Sequence, residues 1–353
     1  MSPMLTGLSP TVRTLSCFPL SSLCCRPRHL SNCASRVMGM KTLDKTHLIG
    51  EKKNVNFRLH NVSGYKTELL EIQAADPKLH VVFIPGNPGV VSFYADFLEE
   101  LYELLDGTAS ITAVGYISHT KKDWECGRLF SLEEQINHKM DFIKLELQNI
   151  GVPIILVGHS IGSYMSIELL RRLPEKVIYY IGLYPFLAVN TRSSEQSIIR
   201  RLAMSPILSV ACSSAVGLLG LLPTKASWFL ARNSVAKSWS ACAVEALCSQ
   251  VLQYHVMRNV LYLAMTEFKK LPETPDWSFM REKQSRIAFL FGADDHWGPL
   301  HMFDEISKNV PDAALAVERE GHSHAFSCTK AGSLWVAQHV ANLIKNRQAS
   351  SSQ

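Results

Sequence analysis

Val152-Pro153-Ile154-Ile155-Leu156-Val157-Gly158-His159-Ser160-Ile161-Gly162-Ser163-Tyr164-Met165-Ser166-Ile167-Glu168-Leu169-Leu170 decides how this chain is read. An apolar run of strand character leads into a Gly-His-Ser-Ile-Gly turn, and a run of helical character leaves it. Glycines two residues before and two after Ser160 allow a tight turn, because a Cβ there would clash. Such a turn lifts the serine hydroxyl off the end of the sheet, where a base can reach it. The competing reading is an ordinary strand-to-helix turn in which Ser160 only caps the helix.

Outward from this turn the chain alternates. Val55 to Leu59 and Thr67 to Ile72 read as two antiparallel strands with Ser63-Gly64 near their turn. Leu79 to Ile84 is a continuous apolar run, as in a strand buried on both faces. The spacing of Phe97, Leu98, Leu101, Leu104 and Leu105 predicts a helix over Tyr94 to Leu105. Ile111 to Tyr116 reads as a strand. Ser131 with Glu134 three residues on forms a capping box that opens a helix to Gln148. Val177 to Leu183 is the strand after the serine turn. From Phe186 to Pro275 the periodicity is helical, with no strand pattern. Arg286 to Phe291 resumes as strand, followed by a helix over Leu300 to Lys308, a strand over Ala313 to Val317 and a helix over Ala331 to Lys345. Strands alternating with helices predict an α/β fold: a mainly parallel sheet covered on both faces, with an inserted helical cap. The expected division is a leader at 1–45, core at 50–185, cap at 186–275 and core again at 276–347. Gln348 to Gln353 reads as a disordered polar tail.

A serine hydroxyl is a weak nucleophile and needs a base, which itself needs an orienting acid. In α/β-hydrolases these follow in the order Ser, Asp or Glu, His. Gly292-Ala293-Asp294-Asp295-His296-Trp297-Gly298-Pro299 follows a late strand; it resembles the family pattern of Gly, two residues, Asp and then Pro, and that resemblance implies Asp295 rather than Asp294. Both His322 and His324 lie in the loop after the last strand, where the base belongs. The oxyanion of a tetrahedral intermediate needs two N–H donors. One is the backbone N–H of Ile161. The other comes from Pro85-Gly86-Asn87-Pro88-Gly89: Pro88 has no N–H, so Asn87 is the expected donor and Gly89 the alternative.

The chain has 353 residues, 36 Lys and Arg against 31 Asp and Glu, and a net charge of +5. No basic block interleaves with aromatics, so nucleic acid is not an expected partner. Nine cysteines show neither C-x-x-C nor metal spacing, and free thiols are expected. The expected chemistry needs no metal or organic cofactor. The first forty residues carry Arg13, Arg26, Arg28 and Arg36, many serines and no acid before Asp44, like an organelle transit peptide. Met38 and Met40 are alternative starts.

Phe83-Ile84-Pro85-Gly86-Asn87-Pro88-Gly89, Tyr94, Gly158 to Tyr164, Gly292 to Asp295 with Trp297, and His324-Ala325-Phe326 together resemble the lipid droplet-associated hydrolases. The chain is similar to a plant member over roughly residues 65 to 345. The resemblance implies a serine-hydrolase fold at lipid droplets or the endoplasmic reticulum, linked to neutral-lipid or sterol-ester turnover. Its His-Ala-Phe string selects His324 as base, with His322 the alternative. The Arg- and Ser-rich leader departs from the animal pattern and keeps plastid or mitochondrial import as the alternative location. A droplet-surface protein with little catalysis is the rival reading, and acyl transfer to an alcohol is a third.

Leu202 to Pro223 contains no charged residue, with Arg200, Arg201 and Lys225 flanking it. Pro206, Gly217 and Gly220 interrupt it. A helix or hairpin lying in a lipid surface is the expected arrangement, with Trp228-Phe229-Leu230 and Trp239 at the interface. The alternative is a buried helix pair closing over an acyl pocket.

Overall fold

The computed structural model describes residues 55–271 and 274–351. The leader expected at 1–45 and its alternative starts lie outside them. Eight strands form one sheet: β1 (Asn56–Val62), β2 (Tyr65–Ile72), β3 (Leu79–Ile84), β4 (Ala109–Val114), β5 (Ile154–His159), β6 (Val177–Leu183), β7 (Ile287–Gly292) and β8 (Ala314–Glu318). Their spatial order is β1-β2-β4-β3-β5-β6-β7-β8. β1 pairs with β2 and β2 with β4 antiparallel, and every later pairing is parallel.

The central strands β3, β4 and β5 are buried along their whole length and mostly apolar because both faces are covered. On β5, Ile154 and Leu156 enter one core cluster while Ile155 and Val157 enter the other. Helices α2 (Leu132–Glu146), α3 (Ile161–Arg172) and α10 (Leu300–Asn309) bury Ile136, Met165 and Ile306 on the first face. Helices α1 (Ala95–Leu104) and α11 (Lys330–Ser351) bury Leu98 and Val340 on the second. The Ser131–Glu134 capping box opens α2 as expected.

Between β6 and β7 the chain forms α4 (Ser194–Met204), α5 (Pro206–Gly220), α6 (Thr224–Asn233), α7 (Ala241–Ala246), a π turn (Leu247–Val251), α8 (Tyr254–Lys270) and α9 (Trp277–Glu282). Three expectations are corrected at their edges. Strand β4 ends at Val114, so Tyr116 lies in the following loop. A 3-10 turn over Val91–Tyr94 precedes α1. Helix α11 runs to Ser351, so Gln348 to Ser351 is helical rather than a loose tail, because nothing in that polar run breaks a helix.

The uncharged stretch folds as α5 with its apolar side outward. Ser209 and Ser213 are its buried residues, whereas Ile207 is 81% exposed, Leu218 66% and, just past its end, Leu221 80%. The Ser213 hydroxyl donates to the Ser209 carbonyl, and the Ser209 hydroxyl accepts from Arg258 on α8. On α6, Phe229 and Leu230 are exposed. The alternative of a buried helix pair is therefore not what forms. Among the described residues no single helix is long and apolar enough to cross a membrane. Helices α4 and α5 have the composition only as a pair bent by 99°.

Candidate active site

Ser160 sits between β5 and α3 at φ 55°, ψ −123°, a region that side-chain-bearing residues seldom occupy. Its flanking glycines make this turn possible. A Cβ on Gly158 would run into the Gly162 carbonyl, and one on Gly162 into the Ile84 carbonyl. The turn is fixed to the end of β6 by Ser160 N–H to Leu183 O at 3.0 Å.

Three loops at the same end of the sheet bring the expected residues together. His324 Nε2 lies 3.0 Å from Ser160 Oγ, and His324 Nδ1 lies 2.9 Å from Asp295 Oδ2. An ionised carboxylate only accepts, so Nδ1 carries the ring proton and Nε2 accepts from the serine hydroxyl. Asp295 Oδ1 also accepts from Trp297 N–H at 2.8 Å. The Asp295 side chain is 1% exposed and that of His324 23%, so the acid is dry while the base faces a cavity. The two alternatives fall elsewhere. His322 gives its N–H to Glu318 and sets its ring 6.0 Å from Trp335 on α11. Asp294 and His322 line a hollow of ≈370 Å³ on which Asp295 and His324 also border, and the Ser160 hydrogen bond is made by His324.

The Pro85–Gly89 loop lies against the serine turn: a Cβ on Gly86 would sit 3.0 Å from Ser160 Cβ. Gly86 N–H donates to the Tyr94 hydroxyl and Gly89 N–H to His119 Nδ1. The N–H groups of Gly86 and Gly89 are thus both engaged, and the expected donor Asn87 lies between them. Ile161 is the first residue of α3, where a backbone N–H has no partner within the helix.

Sequence reasoning missed the residues that hold these loops. His159 Nε2 is 3.0 Å from the His324 carbonyl, so it carries the proton there, and its Nδ1 accepts from the Tyr94 hydroxyl at 2.8 Å. Burial, reinforced by nearby His324, holds His159 well below the usual histidine range and so neutral. Asn87 Nδ2 donates to Val260 O at 3.0 Å and to Glu267 Oε1 at 3.2 Å, tying the loop to α8. Burial pushes the Glu267 carboxyl up to about 8, although the Asn87 hydrogen bond pulls it down. Burial likewise presses His119 to about 3, so it accepts from Gly89 as a neutral ring. His159 stood inside the quoted serine motif. Glu267 carried no local signal, being 180 residues from Asn87.

A cavity of ≈240 Å³, half open to solvent, is lined by Ser160 and His324 together with Phe93, Trp239, Leu247 and Val251. The arrangement can deprotonate a serine hydroxyl beside an apolar chain-sized hollow. A family model described as lipid-droplet associated hydrolase matches residues 77–327. The chain belongs to the lipid-droplet associated hydrolase family. Membership makes it a hydrolase of the α/β fold, from a family defined by association with lipid droplets. It is 28% identical over 264 residues to the lipid droplet-associated hydrolase of Gallus gallus, covering 71% of this chain and 80% of that relative. Against the protein of that name from Dictyostelium discoideum the identity is 27% over 290 residues, covering 74% and 86%. Among solved structures it superposes on a haloalkane dehalogenase from Bradyrhizobium elkani at a TM-score of 0.64, with 14% identity over 84% of this chain and all of that one. An epoxide hydrolase from Vigna radiata gives 0.59 and 16% over the same shares. These two likenesses concern the fold alone.

Proposed function

We propose that the chain is a serine ester hydrolase that acts on neutral-lipid or sterol-ester-like substrates at the lipid droplet surface. The observation that carries this reading is the unbroken Ser160–His324–Asp295 hydrogen-bond chain, at 3.0 and 2.9 Å, beside an apolar cavity. Ser160 Oγ attacks the acyl carbonyl as its proton passes to His324 Nε2. Asp295 fixes the imidazole tautomer and stabilises the imidazolium. The N–H groups of Asn87 and Ile161 receive the oxyanion. The tetrahedral intermediate collapses, the C–O bond to the alcohol breaks, and His324 returns the proton to the leaving oxygen. Water, deprotonated by His324, then releases the acid and frees Ser160.

The outward-facing apolar residues of α5 and α6 support a droplet location, with exposed Arg200, Arg201 and Lys225 able to meet the phospholipid headgroups. The same face is what favours the second reading, a droplet-surface protein with little catalysis. Ser160→Ala is expected to abolish labelling by a fluorophosphonate and to lower esterase turnover by about three orders of magnitude or more. Labelling that survives in that variant would sink the mechanism. A droplet phenotype lost on deleting residues 202–223 but kept in Ser160→Ala would transfer the main function to surface binding.

A further inference from the structure

The insertion between β6 and β7 contributes Trp239, Leu247 and Val251 to the lining of the Ser160 cavity. Trp239 sets its ring edge-on to Phe93, 6.0 Å between centroids. Its carbonyl accepts from Arg232 Nη1, and the next residue, Ser240, donates its N–H to Cys328 O at 2.7 Å. The wall is thus fastened to the loop that carries His324. Trp239 and Leu247 pack on the second-face core cluster and at the same time on a small cluster formed with α6, around Ala231, Ala236, Val244 and Cys248. Beyond that cluster stand the exposed Phe229 and Leu230. Trp239 and Leu247 therefore separate the Ser160 cavity from the apolar outer face. Apart from His159 and His324, no ionisable side chain but the Tyr94 phenol and the Cys328 thiol lines the cavity. Burial pushes that phenol well up and that thiol up to about 12, so both are uncharged. The lining thus recognises hydrocarbon and offers nothing to a charged head group.

We infer that Trp239 and Leu247 are the end wall of an acyl pocket, and that this wall sets the chain length the site selects. This rests on Ser160 being the nucleophile. At roughly 30 Å³ per carbon, the ≈240 Å³ hollow, half open to solvent, takes a chain on the order of eight carbons. Medium-length acyl groups fill it. Each methylene up to that length adds buried contact, worth about fourfold in rate, and methylenes beyond it add none.

The test is the rate at which a series of n-alkyl fluorophosphonates labels Ser160, from four to sixteen carbons, used below their micelle-forming concentrations. Labelling forms the Ser160 Oγ–P bond with loss of fluoride and needs no turnover. The wild-type rate should climb about fourfold per carbon and break near eight carbons. Trp239→Ala should move the break up by about three carbons, and Leu247→Phe should move it down by about two. The opposite displacements separate a wall from a general loosening of the fold, and either variant suffices if the other fails to fold. A wild-type rate that is flat with length, or a break that stays put in both variants, overturns the acyl wall and leaves the serine hydrolase standing. No labelling of the wild type at any length removes the hydrolase reading, and the wall with it.

Discussion

Replacing Ile207, Leu218 and Leu221 together by serine should detach the protein from lipid droplets without unfolding it. The three side chains are 81%, 66% and 80% exposed, so each leaves about three-quarters of its surface to be taken up by lipid. Full burial of such a side chain is worth about 2 kcal/mol, so three partial burials come to about 4–5 kcal/mol. That corresponds to about a thousandfold in partition. The assay is flotation of purified protein with triolein droplets coated by a phosphatidylcholine monolayer, scored as the ratio of floated to free protein. Three half-exposed apolar residues elsewhere, Phe57, Leu145 and Leu334, provide the control when changed to serine. The melting temperature should barely move in either variant, since exposed positions contribute within about 0.5 kcal/mol each. A loss below about tenfold on the α5 variant, or an equal loss on the control, would refute docking through this face.

Two further outcomes follow from the site. His324→Ala should lose esterase activity as completely as Ser160→Ala, while His322→Ala should stay within about twofold, because His322 meets Glu318 and Trp335 and not Ser160. Equal losses in ester-hydrolysis assays would reopen the choice of base. For Glu267, the folded carboxyl titrates near 8 against an ordinary value of 4.5. Between these values the folded protein holds a proton that the unfolded chain has released, so stability falls as pH rises through the window, by a few kcal/mol in all. Glu267→Gln keeps an oxygen for Asn87 and lacks this loss. Its melting temperature should gain on the wild type from pH 5 to pH 8 and then level, and parallel curves would show that Glu267 does not titrate so.

The parts legible in the sequence were those with a local cause. β3 and β6 were read to their end residues because strands buried on both faces are predominantly apolar, His80 being the polar exception in β3. The serine turn announced itself because only glycine fits where Gly158 and Gly162 meet backbone carbonyls. The sequence order of Ser160, Asp295 and a late histidine gave the outline of the site, and the chain length and motif spacing excluded little else. What pattern alone could not reach depended on neighbours distant in the chain. Asn87 and Glu267 meet only because α8 packs back over the Pro85–Gly89 loop. That the Gly89 N–H is engaged by His119, thirty residues on, was likewise out of reach of the local sequence. Periodicity reports orientation only when apolar and polar residues contrast. Leu202 to Pro223 has no charge to supply that contrast, so its composition fitted a buried helix and a lipid-facing one equally. The packing of Ser209 and Ser213 toward α8 turned its leucines outward, and only the tertiary structure holds that information.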